Sequence, residues 1–232
     1  MLDSVGRTGA SAVGPLALGE HGDETVVVDA IDAIRREIAA DPSNAWATER
    51  GWAPLFSAAS TSRIAIIGQA PGRAAQESGV AWNDPSGVRL REWLGLSDQQ
   101  FYDPGNVALL PMDFYYPGKG SSGDLAPRAG FADRWHPRIL AELGRLRLTV
   151  LIGAYAQRHY LGDAAKRTLT QTVRAFEEYL PSKIPLVHPS PLNFRWQKKN
   201  PWFESDVLPE LRLLTAAALA GGAVQNSDTR SP

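Results

Sequence analysis

The sequence predicts an α/β protein built on a short, mainly parallel, four-stranded sheet covered by helices on both faces. Three observations lead there. Four brief runs, Ile64–Ile67, 106–110, Leu148–Ile152 and 184–187, are almost wholly apolar and bounded by Gly or Pro. Runs without polar alternation fit strands buried on both faces, the usual condition of a parallel sheet. Helical stretches separate them, and strands alternating with helices form crossovers rather than hairpins.

Taken in order, residues 26–40 place Ile31, Ile34 and Ile38 on one helical face. The strand at Ile64–Ile67 stops at Gly68, and a helix is expected over 87–94 before the strand at 106–110. A helix over 131–146 leads to the strand Leu148–Ile152, and helices over 155–161 and 169–179 lead to the strand at 184–187. A last helix is expected over 206–220. Residues 1–22 and 221–232 are rich in Gly, Ala and Ser without periodicity, so flexible tails are expected around a single domain spanning 23–220.

Composition narrows the function. With 232 residues, 44% hydrophobic and 21% charged, the chain is long enough to bury a sizeable core and is not disordered throughout. It has no cysteine, which excludes disulfides, thiolate zinc sites, cysteine-ligated iron–sulfur clusters and cysteine nucleophiles. The histidines His21, His136 and His159 show no metal-ligand spacing, and no metal or cofactor is expected. The N-terminal residues lack a signal-peptide core, and the longest apolar stretch, 213–220, is too short to cross a bilayer. A cytoplasmic, membrane-free monomer is expected. A net charge of −1 advertises no nucleic-acid partner globally, so any such surface must be local.

In open parallel sheets ligands bind outside the carboxyl ends of the strands, which directs attention to the long loops 68–87, 111–130 and 188–202. The first begins Gly68-Gln69-Ala70-Pro71-Gly72, a tight turn whose N–H groups converge as a cradle for a carbonyl oxygen or phosphate. A plain strand-to-helix turn is the alternative. The third begins His188-Pro189-Ser190-Pro191-Leu192-Asn193, a stiff segment that projects Leu192 ahead of Arg195, Lys198 and Lys199. An apolar side chain among cations suits insertion into a base stack while phosphates are held; a loop packed by Leu192 and Phe194 is the alternative. The middle loop contains a formal GxGxxG at Gly118, Gly120 and Gly123, but lacks the strand-to-helix context of a dinucleotide site. It reads as a flexible aromatic loop lining the pocket or a nucleic-acid groove, with simple loop packing as the alternative.

The GQAPG and HPSPLN motifs resemble those of the uracil-DNA glycosylase superfamily, over residues 63–214 of this chain. The resemblance implies a three-layer α/β/α sandwich and a DNA partner carrying a damaged base, which is flipped into the pocket for excision. It implies that Gly68, Gln69 and Ala70 meet the base, that His188 hydrogen-bonds the oxygen gaining charge as the base leaves, that Ser190 contacts a phosphate, and that Leu192 fills the vacated space, with Asn193, Arg195 and Lys198 on the DNA side. Trp82 is the candidate aromatic floor, with a core tryptophan as its alternative, and Phe114 is the second candidate.

The chain departs from the family in three ways. Ala70 stands where classical members have a water-activating aspartate, which leaves Gln69, a poor base, and the nearby acids Glu77, Asp84 and Asp113, each alternatively a solvated loop carboxylate. No asparagine stands in register at the end of the middle strand; Asp113 or backbone groups would take its place, and the excised base need not be uracil. The cysteines of the iron–sulfur branch are absent. Neither motif places a lysine nucleophile, so strand cleavage is not expected. The alternatives are a DNA-binding member without catalysis and a doubly wound enzyme acting on a free nucleotide.

Overall fold

The computed structural model describes residues 29–121 and 123–221. In chain order the elements are α1 (Ala30–Ala40), α2 (Ala45–Thr48), β1 (Ile64–Ile67), α3 (Arg73–Ser78), α4 (Pro85–Leu94), α5 (Asp98–Tyr102) and β2 (Val107–Leu109). They continue as α6 (Phe131–Glu142), β3 (Leu148–Ile152), α7 (Gly153–Leu161), α8 (Leu169–Arg174), β4 (Lys183–Leu186), α9 (Phe194–Lys199) and α10 (Leu208–Ala220). The strands form one sheet in the order β2-β1-β3-β4, every neighbouring pair parallel. All four therefore end at the same edge, where the loops that follow them meet.

Strand parity divides the core into two layers. Ile64, Ile66, Val107, Leu109, Val150 and Ile184 face one way, onto Leu90 and Leu94 of α4 and Leu211 and Leu214 of α10. Ala65, Ile67, Ala108, Leu110 and Leu151 face the other way, onto Ile31, Ile34 and Ile38 of α1, Phe131, Trp135 and Ile139 of α6, and Ala156 of α7. Helices thus cover both faces, and the fold is the expected α/β/α sandwich. Pro185 sits in β4 without breaking the sheet because β4 is an edge strand, paired with β3 alone.

Several boundaries differ from expectation. The first helix begins at Ala30, where the Asp29 carboxylate accepts from the Ile31 N–H at 2.9 Å. The expected helix over 131–146 stops at Glu142, because Leu143 leaves the helical region (φ −85°, ψ 66°). That over 169–179 breaks into α8 and a 3₁₀ turn, Phe176–Tyr179. The last helix is preceded by a π turn, Phe203–Val207. Residues 194–199, read as loop, are the helix α9. The expected tails lie outside the described residues except Gly221, which ends α10. No described helix is long and apolar enough to cross a membrane.

Candidate active site

β1 runs directly into the first motif. Beyond the strand its backbone stays joined to the segment after β2: the Met112 N–H donates to the Gly68 carbonyl at 2.9 Å and the Asp113 N–H to the Gln69 carbonyl at 3.2 Å. The Gln69 side chain donates to the Leu125 carbonyl in the middle loop at 3.2 Å. Below the motif, Gln76 of α3 donates to Ala53 O and accepts from the Tyr116 N–H, locking α3 to the same segment.

Trp82 covers this turn. Its φ is +58°, a conformation rare for a large side chain and one that must be held by its surroundings. Two features hold it. The Tyr102 hydroxyl donates to the Trp82 carbonyl at 3.3 Å, and Gly87 leaves room for that carbonyl, since a Cβ at Gly87 would stand 1.8 Å from the oxygen. The indole then lies so close to Gly68 that a Cβ there would meet it at 3.1 Å. Glycine at 68 lets ring and backbone approach.

His188 follows β4 by two residues, and its ring faces the Trp82 indole. The Ser190 N–H donates to its Nδ1 at 3.2 Å, and the Asn193 side chain donates to its carbonyl at 2.7 Å. With Nδ1 accepting, the neutral ring carries its proton on Nε2. Burial lowers the His188 pKa, against the opposing charge of Asp84, so the ring is neutral at physiological pH.

Gly68, Gln69, Ala70, Trp82 and His188 line one cavity of about 210 Å³, together with Pro71, Arg73, Asp84 and Pro111. Its walls are mostly small and apolar, with a few polar groups converging, the usual character of a small-ligand site. Asp84 is its acid. One of its carboxylate oxygens caps α4 by accepting from the Gly87 N–H at 2.8 Å. Glu77, by contrast, is an exposed partner of Arg73 at 2.7 Å.

Two expected site residues lie elsewhere. Asp113 is fully buried and accepts two hydrogen bonds from the Arg128 guanidinium, at 2.7 and 2.8 Å, with further donation from the N–H groups of Tyr115 and Arg128. A carboxylate engaged in this way is a structural ion pair and has no part in the cavity. Phe114 is fully buried as well, stacked between Phe56 (centroids 4.5 Å apart) and His136 (5.5 Å). It belongs to the core, so it is no floor for a base. His136 is itself structural: its Nε2 meets the Pro111 carbonyl at 3.0 Å and the Tyr160 hydroxyl meets its Nδ1 at 2.6 Å.

The third loop stands clear of the body. Ser190 caps the 3₁₀ turn Pro191–Asn193 by accepting from the Leu192 N–H at 3.2 Å, which holds Leu192 outward at 90% exposure. Arg195 and Lys198 of α9 are exposed, and the Lys198 ammonium lies 4.7 Å from the Phe194 ring centroid. Neither forms an ion pair with an acidic side chain among the described residues. Sequence reasoning missed Arg73 and Pro111 as cavity walls, and it left Asp84 undistinguished. The Asn83-Asp84-Pro85 sequence, a capping residue before a proline, marks a helix start and was the available signal.

A family model described as the uracil DNA glycosylase superfamily matches residues 55–212, more than half of the chain. The chain belongs to the uracil DNA glycosylase superfamily. Among solved structures, this superfamily member is similar to the solution structure of a provisionally assigned uracil DNA glycosylase from Methanosarcina acetivorans. That chain is 16% identical, with 68% of this chain and 94% of that one covered and a TM-score of 0.39. The superfamily match spans every cavity residue named above, from the glycine turn to His188.

Proposed function

We propose that this protein is a monofunctional DNA glycosylase that hydrolyses the N-glycosidic bond of uracil or another deaminated base in DNA, leaving an abasic site. The observation that carries the reading is the meeting, in one cavity, of the glycine-turn backbone, the Trp82 ring and a neutral His188 with its proton on Nε2.

A base can reach such a cavity only out of the helix, and Leu192 suits the space it leaves. The flipped base lies against Trp82. As the C1′–N bond breaks, its electrons move onto the base and charge gathers on a carbonyl oxygen. The Nε2–H of His188 donates to that oxygen, which stabilises the departing anion without prior proton transfer. Water then adds to the cation-like sugar and gives up a proton. Asp84, one oxygen bound to the Gly87 N–H and the other available, is the acceptor in the cavity and takes the part that Ala70 cannot. Among the described residues no lysine lines the cavity, in keeping with hydrolysis rather than strand cleavage.

The test is excision on labelled single-stranded and duplex oligonucleotides carrying uracil, hypoxanthine or xanthine, followed by alkaline cleavage, with His188→Ala alongside. Cleavage product from the wild type that falls on the order of a hundredfold in the variant supports the reading. No product from any substrate overturns it.

A further inference from the structure

Two large apolar side chains stand exposed on loops next to the cavity wall: Leu192 at 90%, four residues beyond His188, and Leu125 at 48%, whose carbonyl accepts from the Gln69 side chain. They come from opposite edges of the sheet. Leu125 lies in the loop after β2 and Leu192 in the loop after β4, the two edge strands, with the cavity at the end of β1 between them.

Leu125 is braced for a load. The Gly120 N–H donates to Gly123 O and the Leu125 N–H to Gly118 O, each at 2.9 Å, in a short antiparallel ladder. Its side chain lies across Gly118 and Gly120, where an added Cβ would meet it at 3.3 Å in either case. Its carbonyl is the acceptor for the Gln69 side chain, so the ladder is fastened to the cavity wall. Lys119 stands in the same ladder, paired with the surface carboxylate of Asp124 at 3.5 Å, an interaction weak enough to give way to a phosphate.

We propose that Leu125 is a second wedge, pressing on duplex DNA from the side opposite Leu192, so that the target nucleotide leaves the helix between two apolar tips. The proposal rests on the glycosylase reading and extends it to the form of the substrate. A single inserted side chain supports one unstacked step, whereas flipping disturbs the stack on both sides of the departing base. A second apolar contact supports the other side.

The experiment compares excision rates on matched duplex and single-stranded oligonucleotides for wild type, Leu125→Ala, Leu192→Ala, the double variant and Leu125→Met. Leu213→Ala, exposed on α10, serves as a control. Leu125→Ala should lower the duplex-to-single-strand ratio about tenfold, with a further drop in the double variant and recovery in Leu125→Met. An unchanged ratio overturns the proposal. So does an equal loss on both substrates, which assigns Leu125 to packing beside Gln69. If the wild type excises from neither substrate, the glycosylase reading fails instead, and affinity for a duplex holding an abasic-site analogue decides the wedge. A loss in Leu125→Ala confined to the duplex sustains it, and equal affinities overturn it.

Discussion

The indole of Trp82 faces the imidazole of His188, with ring centroids 5.7 Å apart and planes 29° from parallel. The two rings are therefore a single unit, and whatever moves one disturbs the other.

The unit depends on a glycine outside the cavity. Gly87→Ala should lower kcat/KM for excision about tenfold or more, as should Trp82→Ala, because the new methyl would displace the Trp82 carbonyl and with it the ring. Trp82→Phe should retain most activity. Steady-state excision, with urea denaturation to confirm folding, checks this; a wild-type rate in Gly87→Ala would show that the backbone yields without moving the ring.

The pH profile reports the state of His188. Its pKa is depressed by burial, so excision should be level across neutral pH and decline below the ordinary imidazole value near 6.5. The decline follows from the second ring proton, which would go to Nδ1 and break the bond from the Ser190 N–H. A single-turnover profile with its midpoint at or above about 6.5 would contradict the neutral donor.

Two aspartates should separate chemistry from architecture. Asp84→Asn should reduce single-turnover excision about a hundredfold while changing stability by no more than about 1 kcal/mol, since asparagine also caps helices. Asp113→Asn should destabilise by roughly 3 kcal/mol, because it leaves the Arg128 guanidinium without its charge partner, yet excise within a few-fold of wild type wherever it remains folded. Urea midpoints and excision rates, measured side by side, decide both.

His136 makes stability depend on pH. Burial lowers its pKa to about 4, from an ordinary value near 6.5. Between those values the unfolded chain binds a proton that the folded chain refuses, so this contribution is complete above pH 6.5 and is lost as pH falls toward 4. The loss amounts to roughly 3 kcal/mol. Urea unfolding at about pH 7 and about pH 4.5 should show the wild-type advantage over His136→Asn shrinking by about that amount.

What could be read from the sequence was local. β1 and β3 were legible because a short apolar run without polar alternation, closed by glycine, suits a strand buried on both faces and little else. Gly68, Gln69, His188 and Leu192 were legible because each sits in a short motif beside a strand. The helices α3, α5 and α9, of five or six residues each, are too short for periodicity to register. α5 carried another sign, the Ser97 and Gln100 capping box, and α3 one of its own, the helix-stopping Gly79. Asp113 misled because its partner, Arg128, is brought to it by the turn of the middle loop. Phe114 misled because Phe56 and His136 enclose it from distant parts of the chain. Nothing in the sequence ties Leu125 to Gln69, which lies 56 residues away.

The backbone carbonyls of Gly68 and Gln69 are turned toward the segment beyond β2 and occupied there, and those of Pro111 and His188 are taken by His136 and Asn193. Deamination replaces an amino donor on a base with a carbonyl acceptor. On the glycosylase reading, these four backbone acceptors are closed to the amine of cytosine or adenine by the way one loop is stitched to the next strand, and the Asp84 carboxylate is left as an acceptor that such an amine meets.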